Sequence, residues 1–145
     1  MLRTFLGSVL LLAACASPGP RAVLVGTDLC EHCHMTVADP RFVSQLVTTT
    51  GKVLVYDDAG CLATALQDAV VTEDQVRSLW VTDFLSPAGL LEAPTAWFVR
   101  APSLSTPMAS GLAAVGSAAQ ADSLATVLGG EVLRWDDVRT TPHGH

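Results

Sequence analysis

Cys61-Leu62-Ala63-Thr64-Ala65-Leu66 and Ser123-Leu124-Ala125-Thr126-Val127-Leu128 echo one another from opposite halves of the chain. Both are built from good helix formers, and both follow a pair of β-branched or aromatic runs. Upstream of the first copy, Arg41 to Thr49 and Lys52 to Tyr56 have strand composition, and Thr50-Gly51 between them is turn chemistry, so a β-hairpin is predicted. Asp57-Asp58-Ala59-Gly60 supplies capping residues for a helix beginning near Asp58. A short helical turn over Glu73 to Arg77 and a strand over Leu79 to Phe84 complete this half.

The second copy sits in the same surroundings. Thr95 to Arg100 and Gly111 to Gly116 read as strands, and Ser117 caps a helix running to Leu128. Gly129-Gly130 ends that helix, and Glu131 to Trp135 closes as a strand. Strand-strand-helix-strand therefore occurs twice. The expected fold is α+β, with duplicated ββαβ units spanning about 40–84 and 95–138, packed as one compact domain over 23–140.

The ends of the chain carry separate signals. Arg3 followed by an apolar stretch from Phe5 to Ala14 is too short to remain as a spanning helix, and Leu12-Ala13-Ala14-Cys15 has the grammar of bacterial lipoprotein processing. Residues 1–14 are read as an export signal, Cys15 as the lipidated first residue, and 15–22, with its Pro18-Gly19-Pro20, as a tether. The anchored protein would face the periplasm. Ala16-Ser17 after Cys15 lacks an inner-membrane retention Asp, which favours the outer membrane over the inner. The bland alternative is a soluble secreted protein with a chance cysteine. Residues 141–145 form a polar tail containing His143 and His145, of a type most often disordered, although His-Gly-His captures divalent ions weakly.

A net charge of −6 argues against a partner recognised through phosphates, so nucleic acid is set aside. A monomer or weak dimer is expected. Besides Cys15, Cys30, Cys33 and Cys61 remain, an odd number in an oxidising compartment; at least one thiol is left unpaired or bound to something such as a metal.

The densest chemistry lies in Cys30-Glu31-His32-Cys33-His34-Met35. Thiolates, a thioether and imidazoles together make a soft site, and soft sulfur ligands select Cu(I), whereas Mg and Ca demand oxygen. Zinc accepts Cys and His but has little use for Met35. A structural zinc site would need Cys61 and a His as third and fourth ligands, since no second CxxC is present. A thiol-disulfide enzyme would place its CxxC at a helix start after a strand, not ahead of a hairpin. Cys61, near a helix start, gains thiolate character from the dipole, but a free Cys is also among the most buried residue types, and burial is the better reading. Met108, in Thr106-Pro107-Met108-Ala109-Ser110-Gly111, is a candidate ligand or a loop plug. Asp57 and Asp58 are explained by capping. Ser/His/Asp triads, phosphate-cradling glycine loops and HExxH are all absent, so a non-enzymatic role is expected.

Taken in order, Cys30-Glu31-His32-Cys33-His34-Met35, Val55-Tyr56-Asp57-Asp58-Ala59-Gly60-Cys61-Leu62, Trp80-Val81-Thr82-Asp83, Thr106-Pro107-Met108 and Gly129-Gly130-Glu131-Val132-Leu133 resemble the NosL family, lipoprotein accessory proteins of nitrous oxide reductase assembly. The resemblance implies duplicated ββαβ units and delivery of Cu(I) to a copper enzyme client outside the cytoplasm, nitrous oxide reductase above all. It also implies Cys33, Met35 and Met108 as leading copper ligands, with Cys30 and His34 as further candidates. The position between Cys33 and Met35, commonly glycine in the family, is His34 here.

Overall fold

The computed structural model describes residues 17–143. The signal segment, Cys15 and His145 lie outside them. Among the described residues no helix is long and apolar enough to cross a membrane.

The hairpin forms as expected, with β1 at Ser44–Thr48 and β2 at Val53–Tyr56. Gly51 takes the turn position at φ 89°, a left-handed conformation that glycine adopts without strain. After α1 (Ala59–Gln67) and a single 3-10 turn at Glu73–Gln75, β3 (Val76–Thr82) returns antiparallel to the other flank of β1, pairing Leu46 with Leu79 while Leu46 also faces Leu54. β4 (Leu90–Glu92) extends the first sheet to the order β2-β1-β3-β4. In the second half β5 (Trp97–Arg100), β6 (Leu112–Val115), α2 (Ala118–Leu128) and β7 (Glu131–Arg134) follow, with sheet order β6-β5-β7. Each half thus has strand-strand-helix-strand in sequence, with its first strand central. A parallel bridge from Asp83 to Ala114 joins the two sheets.

Two elements differ from expectation. β4 has only three residues, too few for an alternation to show. The chain after β7 forms a helix, α3 (Trp135–Thr140), which buries Trp135 and Val138 one turn apart and has Asp136 and Asp137 in its first turn. Six residues carry no visible period, so the sequence predicts only a strand ending in Trp135 here.

The main core crosses both halves. Leu46, Leu54, Tyr56 and Leu62 meet Phe98, Leu112, Trp135 and Val138 in one cluster, with Phe98 and Trp135 ring centroids 5.8 Å apart. A second, smaller cluster packs Ala121 and Ala125 of α2 on Val99 and Val115. The two helices sit differently: every residue of α1 from Ala59 to Ala65 is buried, whereas α2 buries only Ala121 and Ala125. Small side chains let α1 be enclosed on all sides, and this encloses Cys61 as well.

Candidate metal centre

Three short links bring the cysteines together. Residues 29–36 form a tight loop closed by a bridge between Leu29 and Thr36, by the Cys30 N–H donating to the Met35 carbonyl at 2.8 Å, and by the His34 N–H donating to the Cys30 carbonyl at 2.9 Å. The Glu31 N–H donates to the Val55 carbonyl at 2.8 Å, which lays this loop along the end of β2. Two residues beyond β2, Asp58 caps α1: its Oδ1 accepts the Cys61 N–H at 2.9 Å. Cys61 is therefore one turn into the helix, facing the loop.

The Sγ atoms of Cys30, Cys33 and Cys61 all lie within 4.8 Å of one another. Cys30 and Cys61 are buried and Cys33 is half-buried, and none of the three is in a disulfide. The Cys30 sulfur receives the Cys61 S–H and the Cys33 N–H, the latter at 3.5 Å, with backbone donors of His32 and Asp57 nearby. These donors outweigh burial and pull its pKa down to about 5, while Cys61, as donor to that thiolate, is pushed well up and Cys33 is raised by burial. One buried thiolate next to two retained thiols is a ready soft-cation site.

The rest of the surroundings is unusually polar for a core. The Tyr56 hydroxyl and Asp57 Oδ1 are buried without a hydrogen-bond partner among the described residues. Burial, together with the Cys30 thiolate, lifts Asp57 to about 6. Capping explains Asp58 but not Asp57, which corrects the sequence reading. Asp58 does more than cap: its Oδ2 accepts the Ser110 hydroxyl at 2.8 Å and the Met108 N–H at 3.3 Å, tying the 106–110 loop to the start of α1. Met108 accordingly packs, half-buried, on the main core. A cavity of about 10 Å³ opens among His32, Cys61, Met108 and His143.

Of the residues marked in the sequence, Cys30 and Cys33 thus stand together and Met108 borders the same region. Met35 points outward, 55 % exposed. His34 is exposed and holds φ 59°, the left-handed conformation that a glycine in its place would accept freely. Cys61, which the sequence offers as a ligand only for zinc, stands in the cluster, and the burial expected of it is what places it there. His143, in a tail whose composition favours disorder or weak ion capture, lies against the site.

The chain matches the NosL family over residues 22–142. It belongs to the NosL family. No curated protein matches it at a significant level. Among solved structures, the copper chaperone NosL from Shewanella denitrificans is similar, with a TM-score of 0.74 at 22 % identity over 86 % of this chain and 98 % of that one. For this NosL-family chain, that likeness establishes the arrangement of sheets and helices.

Proposed function

We propose that this chain is a Cu(I) metallochaperone, a binding and transfer protein that receives the ion at its thiol cluster and passes it to an extracytoplasmic copper enzyme. The carrying observation is the donor set: three sulfurs within 4.8 Å of one another, one of them a buried thiolate, with Met108 lining the small cavity that Cys61 also borders. Closed-shell Cu(I) is the common biological cation that prefers such sulfur-rich, low-coordinate surroundings. Family membership and the likeness to the structure of a copper chaperone support the same reading. The client is nitrous oxide reductase, as the family resemblance implies, and Cys15, once acylated, would hold the domain at the envelope surface, on the outer membrane.

Within this reading Cys33 is the more accessible thiol of the cluster, and Met35 and His34 are peripheral. Structural zinc fits less well, because Met108 lines the cavity at Cys61 and zinc has little use for a thioether. A thiol-disulfide enzyme fits less well still: its low-pKa cysteine must be reachable by a substrate disulfide, and Cys30 is fully buried.

Anaerobic titration of the reduced chain with Cu(I) against a chromogenic chelator tests the reading. Tight one-to-one binding is expected, weakened by Cys30→Ser and by Cys61→Ser far more than by Met35→Leu, with zinc bound more weakly. Failure to compete for Cu(I) would sink the proposal.

A further inference from the structure

The tail after α3 is strapped across the molecule. Gln67, at the end of α1, donates through Nε2 to the carbonyls of Arg139 at 2.6 Å and Thr141 at 3.1 Å, and the Thr141 hydroxyl donates to the Asp137 carbonyl at 2.7 Å. This turns the chain back so that His143 reaches the first turn of α1. The approach is close: a Cβ placed on Gly60 would lie 3.4 Å from His143 Cγ and 2.6 Å from Ser110 Cβ. Glycine at position 60 is what allows the tail and the Met108 loop to converge over Cys61.

The imidazole is also oriented. His143 Nε2 lies 2.8 Å from the Val138 carbonyl. A carbonyl only accepts, so Nε2 carries a proton, and in the neutral ring Nδ1 is the nitrogen with the lone pair. That is the arrangement of metal-ligating histidines, whose second nitrogen is held by a backbone carbonyl or carboxylate. The cavity it borders, about 10 Å³, is close to the space of one small particle, and Cys61 and Met108 line it too. Thiol, thioether and imidazole around so small a void are a donor set for a soft monovalent cation.

We propose that His143 is a copper ligand carried by the tail, which joins Cys61 and Met108 as an outer position for Cu(I) next to the inner thiol cluster. Cys61 belongs to both positions, so the ion moves between them by exchanging neighbours around one shared sulfur. The tail then acts as a detachable arm: straightening the three residues after α3 removes one ligand and opens the outer position to a client. This inference rests on the Cu(I) reading above and adds a residue that the thiol cluster alone does not require.

The test uses the reduced full chain, with histidine rings labelled by ¹⁵N, titrated with Cu(I) alone and compared with His143→Ala and His143→Gln. Glutamine retains an N–H donor for the Val138 carbonyl but has no imidazole, so it separates pinning of the tail from metal ligation. The expected result is a Cu(I)-dependent shift of the His143 Nδ1 resonance, with affinity reduced about tenfold or more in both variants, on the scale by which supporting residues alter metal affinity. An unmoved Nδ1 resonance in a chain that binds Cu(I) overturns the inference and leaves the chaperone reading standing, and so does wild-type affinity in His143→Gln. A chain that binds no Cu(I) overturns both.

Discussion

Asp58 Oδ2 accepts the backbone N–H of Met108 at 3.3 Å, across 50 residues of sequence, while its Oδ1 holds the N–H of Cys61 at 2.9 Å. One carboxylate therefore sets the spacing between a thiol and a thioether that come from different halves of the fold. Asp58→Ala removes a helix cap and strands the Ser110 and Met108 donors. A cap contributes about 1 kcal/mol and hydrogen bonds to a charged group about 1.5–3 kcal/mol each, while release of a buried charge offsets part of this, so a net loss of about 2–3 kcal/mol is expected. Urea unfolding of the metal-free protein measures it. Asp58→Asn, which keeps the capping oxygen, should lose less.

Gly60→Ala should destabilise although alanine favours a helix by up to about 1 kcal/mol over glycine. The added methyl would sit 2.6 Å from Ser110 Cβ, and overpacking of that kind costs about 1–3 kcal/mol. A net loss by urea unfolding, together with weaker Cu(I) binding as the Met108 loop is pushed away, is the expected pair of outcomes. A more stable variant would show that the loop yields freely.

His34→Gly should do the opposite. His34 holds φ 59°, which costs a residue with a side chain about 1–2 kcal/mol, so glycine should gain about 1 kcal/mol in thermal or urea unfolding. Because His34 is exposed and stands outside the thiol cluster, Cu(I) affinity should be unchanged. A large loss of affinity would return His34 to the ligand set.

The pH dependence of the metal-free protein follows from two groups of opposite sign. Cys30 titrates near 5 in the fold against an ordinary 9.0, so between those values the folded state has released a proton that the unfolded chain still holds. Its contribution is complete above pH 9 and is lost as pH falls towards 5. Asp57 is raised to about 6 from 3.8, so between those values the folded state holds the extra proton and stability grows as pH falls. Stability should therefore fall from pH 9 to about 6 and then level off as the two oppose. Asp57→Asn should abolish the levelling, and Cys30→Ser the fall; urea midpoints across this range decide both. Thiolate absorbance in the ultraviolet should vanish near pH 5 in the wild type.

Much of the framework was legible in the sequence because it depends on local chemistry. β-branched and aromatic composition and the Thr50-Gly51 turn mark β1 and β2, Asp58 and Ser117 mark the starts of both helices, and Gly129 ends α2 at φ 67°. β4 and α3 were missed because three and six residues carry no period, and α3 is held by packing of Trp135 and Val138 into a core assembled from distant strands. At the site, Cys30-x-x-Cys33 was visible as a pair in sequence. Cys61 joins it only through the path from β2 into α1, and His143 only through the Gln67 strap, both tertiary relationships that residue spacing does not encode. Met35, prominent in the motif, is carried to the outside by the turn at His34.

The central claim is that Cu(I) is held by the sulfurs of this cluster. Copper K-edge X-ray absorption on the reduced chain loaded with one equivalent of Cu(I) tests it most directly, in wild type and in Cys61→Ser. The account predicts a low-coordinate shell dominated by sulfur that loses a sulfur neighbour when Cys61 is replaced. A shell of nitrogen and oxygen alone, or a sulfur count indifferent to Cys61, would contradict it.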